Sequence, residues 1–177
     1  KLSVAINELV QTYDDHFSQE LNATKKHRGQ QLIAQRMRNY LIDSQLTKKR
    51  SEHLYKGEHR ETVFKEKVQE YYSLRCLPQI LGPIYDTIDY AKEIVTNEFN
   101  SASDNPITDL QSQQVYHGGN FHGDYISLEM DKLKIAVTRL SMLGERQLNY
   151  LLNPKINEIL PAFVNAGKLG FNFGMQG

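Results

Sequence analysis

Apolar residues at the start of the chain fall at Leu2, Ile6, Leu9, Val10, Tyr13, Phe17 and Leu21. This three-and-four spacing gathers them on one face of a helix and predicts a first helix reaching about Thr24. The patch Lys25-Lys26-His27-Arg28-Gly29 breaks the pattern, because its basic side chains want water and glycine weakens a helix. A second helix is expected over 30–42, with Leu32, Ile33, Met37, Tyr40 and Leu41 inward. From Thr47 to Lys67 charges of both signs alternate with few apolar anchors, which predicts a hydrated connection.

The clearest periodicity runs from Leu77 to Ala102 through Ile80, Leu81, Ile84, Ile88, Ala91, Val95 and Phe99. Pro78 suits a first helical turn, whereas Pro83 predicts a bend near Gly82. Ser103-Asp104-Asn105-Pro106 should close the element, since Asn before Pro is steered out of the helical region. The polar stretch 107–117 allows a short hairpin. A second long helix is predicted over 125–152, stopped by Asn153-Pro154, with apolar residues on more than one side. That distribution suits a helix packed against several neighbours, including other subunits. The expected fold class is all-α, a bundle built on two long antiparallel helices. Its organisation should be N-terminal helices and a charged connection over 1–67, then a central helical segment with loops over 68–177.

Length and composition narrow the classes. The 177 residues are enough for one domain, and 40% hydrophobic content marks a folded chain. Lys plus Arg balance Asp plus Glu at 21 each, so no net field draws in nucleic acid or an anionic membrane. The single cysteine, Cys76, rules out an internal disulfide, and no apolar run approaches the roughly 20 residues of a membrane span. A cytoplasmic location is the expectation. The chain opens within a helical pattern and stops in the glycine-spaced run Gly170 to Gly177, so a piece of something larger is expected.

Two segments carry candidate chemistry. In Val68 to Cys76, Gln69, Tyr72 and Arg75 recur every three residues, so one helical turn can point an amide, a phenol and a guanidinium the same way. A guanidinium grips a carboxylate through two parallel hydrogen bonds and a phenol exchanges a proton, which suits an amino acid ligand. An arginine paired internally and a tyrosine packed at a helix start fit the same spacing. In His117 to Gly123, paired glycines allow close backbone approach and display Asn120, Phe121 and His122 before a helix. Either a pocket wall or a sharp connector results. His117, His122 and Asp124 match no common zinc spacing, so no metal is expected. His16, His27, His53 and His59 sit in polar contexts that predict solvation, and Cys76 is expected to act as a small hydrophobe rather than a nucleophile.

Taken in order, VQEYYSLRC followed by Pro78-Gln79, then SASDNP, then HGGNFHG resemble the histidine and aromatic amino acid ammonia-lyases and the related aminomutases. The trailing GFNFGMQG agrees. The resemblance implies a largely helical homotetramer whose active sites draw on more than one subunit. It implies a methylidene-imidazolone electrophile, formed from an internal Ala-Ser-Gly, and elimination of ammonia to give an unsaturated acid. It makes Tyr72 a catalytic phenol, Arg75 the clamp for the substrate carboxylate, Gln69 a partner of substrate or cofactor, and Phe121 a pocket wall. Asp104, Asn105, Asn120 and His122 become structural members of a subunit contact. No Ala-Ser-Gly occurs in these residues; the nearest string is Ser101-Ala102-Ser103-Asp104. The expectation is the central part of a larger helical enzyme, inactive by itself, with the electrophile built elsewhere. An aminomutase and a non-catalytic helical scaffold are the alternative readings.

Overall fold

Helix α1 covers Leu2–Leu9 and buries Val4 and Ile6, but it stops there instead of continuing to Thr24. The computed structural model describes residues 1–54 and 67–164. After α1, Gln11 takes a left-handed φ of 54° and Thr12 turns back, its N–H and hydroxyl both bonding to Asn7. Tyr13 then forms a parallel bridge with Lys48, and Asp15–Phe17 make a single 3₁₀ turn before α2, Gln19–Ala23. Tyr13 and Phe17 are both buried, so the apolar spacing persists across a break in the helix. Thr12, Asp14 and Ser18 supply the turn and cap groups there, with Ser18 Oγ accepting from Leu21 N.

Helix α3 spans Arg28–Leu41 and so begins inside the basic patch. Gly29 is the reason: a Cβ there would lie 2.4 Å from the Gly82 carbonyl oxygen, and one at Gly82 would lie 2.6 Å from Gln30 N. The two glycines let α3 cross another helix in near backbone contact. Asp86 seals the crossing by accepting from Gly29 N at 3.1 Å, and Arg28 pairs with Asp89 at 2.9 Å. Ala34, Met37 and Leu41 face the core, whereas Tyr40 is exposed beneath the Lys1 ammonium, contrary to its predicted inward position. The described part of the connection contains α4, Arg50–His53.

Helices α5, Tyr72–Arg75, and α6, Leu77–Phe99, follow one another with only Cys76 between them. Pro78 lies in the first turn of α6, which runs on through Pro83. Strands β1, Ile107–Asp109, and β2, Gln114–Tyr116, form the predicted hairpin, Ile107 opposite Tyr116. Helix α7 covers Asp124–Leu152 and α8 covers Pro154–Asn157. Leu143 of α7 packs with Leu77 at the start of α6, while Lys132 lies over Tyr90 farther along it. The two long helices are therefore antiparallel, as predicted.

Two clusters make the core. Val4, Phe17, Met37, Leu41, Leu77 and Leu143 form one; Ile6, Val10, Leu74 and Tyr150 form the other. Leu74 and Leu77, fully buried, each anchor in a different cluster. At about 2 kcal/mol for each buried leucine, this pair fixes the junction between α5 and α6. On α7, Leu128, Ile135 and Met142 remain exposed along one flank, and Val137 and Leu140 along another. The predicted apolar surplus is thus present and uncovered in a single chain.

Candidate functional site

The residues 67–76 form a short shelf on the end of α7. Tyr71 caps α5, its carbonyl accepting from Leu74 N and Arg75 N at 2.9 and 3.0 Å. This one turn places Tyr72 and Arg75 on the same side, with the guanidinium carbon 4.9 Å from the Tyr72 ring centre. Leu74 between them plunges into the core. The spacing therefore does what it predicts, and the short helix is held from beneath: Gln147 of α7 donates to the Ser73 carbonyl at 3.0 Å.

Gln69, Tyr72 and Arg75 line one cleft of about 1380 Å³. Its other walls are Val10, Gln11 and Tyr13, His53, the end of α7 at Arg146, Asn149 and Tyr150, and residues 155–159. That volume exceeds the roughly 300–1,000 Å³ of a closed small-molecule pocket, so the cleft has room for a further wall. Lys48, Lys67, Arg75, Arg146 and Lys155 line it against Glu70 and Glu158, giving it a cationic balance. Lys67 is engaged by Glu70 at 3.0 Å and Arg146 by Glu145 at 3.2 Å. Arg75 pairs with no carboxylate among the described residues, and its buried Nε has no hydrogen-bond partner. A guanidinium stacked on a phenol, with no internal anion among the described residues, in a cationic cleft, has the chemistry to receive a carboxylate. Tyr72 is 71% exposed and its hydroxyl is open to a ligand.

Several residues of this region escape sequence reasoning. Lys67 lies 4.4 Å from the Tyr71 ring centre and 5.8 Å from that of Tyr150, and the two rings meet edge to face at 5.3 Å. Burial pushes the Tyr150 phenol up to about 12, with Glu70 adding to it. Tyr13, predicted as a helical core residue, donates to or accepts from His53 Nδ1 at 2.8 Å at the cleft edge. His53 is thus not merely solvated. His16 is buried against Phe17, its Nε2 3.3 Å from Asn7 Oδ1. Burial lowers its pKa to about 4, Arg50 and Arg75 acting the same way against the opposing Asp15. Its flanking acids gave the misleading polar context. His27 is exposed, Cys76 is half-buried, and His59 lies outside the described residues, as does the run 170–177.

The remaining predicted residues gather elsewhere. Asn105 Oδ1 accepts from Gly118 N at 2.8 Å, tying the turn after α6 to the glycine turn before α7. Asp104 Oδ1 accepts from Asn105 N, and His122 Nδ1 lies 3.3 Å from Asp124. A Cβ added at Gly118 or Gly119 would meet nothing within 4 Å, and neither takes the left-handed φ that favours glycine, so their conformational freedom is not used within the chain. Asn120 and His122 are exposed, and Phe121 is 61% exposed. Helix α6, about 35 Å long from its 23 residues, separates this group from the cleft. One chain does not bring Phe121 to Tyr72 and Arg75. Among the described residues no three His, Cys, Asp or Glu side chains are placed to hold a metal ion, and no helix is long and apolar enough to cross a membrane.

Comparison with known proteins places this arrangement. A family model described as aromatic amino acid lyase matches residues 2–177. Tyrosine 2,3-aminomutase of Chondromyces crocatus is 39% identical over 91% of this chain and 32% of its own length. Histidine ammonia-lyase of Halalkalibacterium halodurans is 40% identical over 86% of this chain and 27% of its own. The solved structure of phenylalanine aminomutase from Pantoea agglomerans superposes with a TM-score of 0.85 at 32% identity, covering 95% of this chain and 33% of that one. The chain spans between about a quarter and a third of the length of these relatives. It belongs to the aromatic amino acid lyase family.

Proposed function

We propose that the protein carrying this chain eliminates ammonia from histidine or an aromatic L-amino acid to give an α,β-unsaturated acid, and that this chain supplies the carboxylate-binding wall of the site. The observation that carries the reading is Arg75, stacked on Tyr72 and unpaired with any carboxylate among the described residues. Two guanidinium N–H groups donate to the substrate carboxylate, which fixes the amino acid with its β carbon toward the Tyr72 phenol. Tyr72 exchanges a proton at its hydroxyl oxygen, and Gln69 hydrogen-bonds the substrate or the prosthetic group.

The residues present fit the substrate side of a methylidene-imidazolone site: an open phenol, an unpaired guanidinium and an amide face one cleft. That group, when bound, is the electrophile that makes the β C–H acidic and lets the amine leave. Its Ala-Ser-Gly source is absent from these 177 residues, so the chain alone should form no unsaturated acid. Phe121 reaches a cleft only from another copy, given the length of α6, which supports a homo-oligomeric enzyme; assembly as a tetramer and a cytoplasmic location are part of the same proposal. Asp104, Asn105, Asn120 and His122 then build the contact between copies. The exposed flanks of α7 support the same assembly.

The likeness to a tyrosine 2,3-aminomutase favours a second reading, in which ammonia returns to the β carbon. The complete protein, incubated in turn with histidine, tyrosine and phenylalanine, decides. Ammonia with the ultraviolet band of an unsaturated acid marks a lyase; a β-amino acid marks an aminomutase. Neither product from any of the three overturns the proposal.

A further inference from the structure

We propose that Arg50 is a positioning residue for the catalytic shelf, a role that rests on the amino acid elimination reading above. Its guanidinium joins three parts of the chain. Nε and Nη2 donate to the two oxygens of Asp15 at 2.7 and 3.1 Å. Nη1 donates to the Val68 carbonyl. The planar group also lies over the Tyr13 ring, 4.2 Å from its centre. The Arg50 side chain is only 15% exposed, so the bond to the Val68 carbonyl and the stacking on Tyr13 are shielded, while the Asp15 carboxylate, 46% exposed, reaches water.

The Val68 carbonyl belongs to the peptide group that leads into Gln69. Holding it fixes the plane from which Gln69, Glu70, Tyr71 and Tyr72 depart. Arg75 is secured differently, by Leu74 and Leu77 in the core and by the Gln147 bond to Ser73. The clasp therefore governs Gln69 and Tyr72 more than it governs the carboxylate clamp. Only a guanidinium fits the task, because its rigid fork serves a carboxylate on one edge and a carbonyl on another while its face stacks on a ring. Lysine keeps the charge and loses that geometry. No part of the sequence marks Arg50: it sits among like and unlike charges in the stretch 47–67.

The test compares Arg50→Lys with wild type in the complete protein, by steady-state kinetics and by hydrogen exchange at the Leu74, Arg75 and Cys76 amides, which bond to the Tyr71 and Tyr72 carbonyls. Misplacement of Tyr72 predicts kcat lower by about 10- to 100-fold with KM changed less than about threefold. Exchange at those amides should quicken about tenfold or more while the α6 and α7 amides stay protected. Faster exchange with unchanged kcat, or unchanged exchange, overturns the proposal. If wild type releases no product from any amino acid, the elimination reading fails; quickened exchange confined to 74–76 then still supports the clasp, and unchanged exchange removes it. Should Arg50→Lys not fold, Asp15→Asn tests the same fork through the same two readouts.

Discussion

A methyl group added at Gly82 pits two effects of known size against each other. Within a helix, alanine is more favourable than glycine by about 1 kcal/mol. At Gly82, however, the new carbon would lie 2.6 Å from Gln30 N, 2.8 Å from Gln30 Cα and 2.9 Å from Gly29 C. All three are backbone atoms of α3, and none can rotate aside. Ordinary contact begins near 3.4 Å, so α3 and α6 must part locally by about 0.8 Å. A gap of that size forfeits a quarter to a half of each dispersion contact along the crossing, and overpacking of this kind costs about 1–3 kcal/mol. The clash should win, leaving Gly82→Ala less stable by up to about 2 kcal/mol, with a melting temperature lower by up to about 8 °C for a chain of this length. Gly144 of α7 supplies the opposite case, since a Cβ there meets nothing within 4 Å. Gly144→Ala should therefore gain about 1 kcal/mol. Thermal and urea unfolding of the 177-residue chain, followed by helical circular dichroism, measures both. Equal shifts of the same sign in the two variants would refute the close crossing.

Other perturbations have equally definite signs. Because burial holds the His16 pKa near 4, below its unfolded value of about 6.5, the unfolded chain binds more protons between those limits. His16 thus contributes stability present above pH 6.5 and lost as pH falls toward 4, by at most about 1.4 kcal/mol per pH unit. In His16→Gln, urea midpoints measured across that range should fall less steeply than in wild type. Asn157 donates to the carbonyls of Tyr150, Leu151 and Asn153 and accepts from Ile159 N and Leu160 N. Asn157→Ala should cost about 2 kcal/mol or more and speed amide exchange at Ile159 and Leu160. Glu158 carries a left-handed φ of 58° at the cleft wall. Glu158→Gly should raise the unfolding free energy by about 1 kcal/mol, measured by urea titration; a loss of stability would mean that its carboxylate has a structural role.

What the sequence made legible follows from the range of each interaction. Helices α6 and α7 were readable because 23 and 29 residues of sustained periodicity outweigh local interruptions. The Tyr72–Arg75 pair was readable because one helical turn makes it. Helix α1 was overextended because Tyr13 and Phe17 stay buried after the backbone has turned. Gly29 resembled a breaker because its value lies in Gly82, more than fifty positions away. The far walls of the cleft, Tyr13, Arg146 and Tyr150, depend on tertiary contacts that no local pattern encodes. Only the family resemblance implies what spacing could not, that the shelf and the distant glycine turn serve one active site.

The proposed function stands or falls with Arg75 binding the carboxylate of an amino acid. Kinetics of Arg75→Lys in the complete protein test it most directly, because lysine keeps the charge and removes the bidentate fork. A bidentate carboxylate contact at Arg75 requires at least a tenfold fall in kcat/KM, about 1.4 kcal/mol, with a parallel weakening of inhibition by the unsaturated acid product. Unchanged kcat/KM and unchanged product inhibition would contradict it.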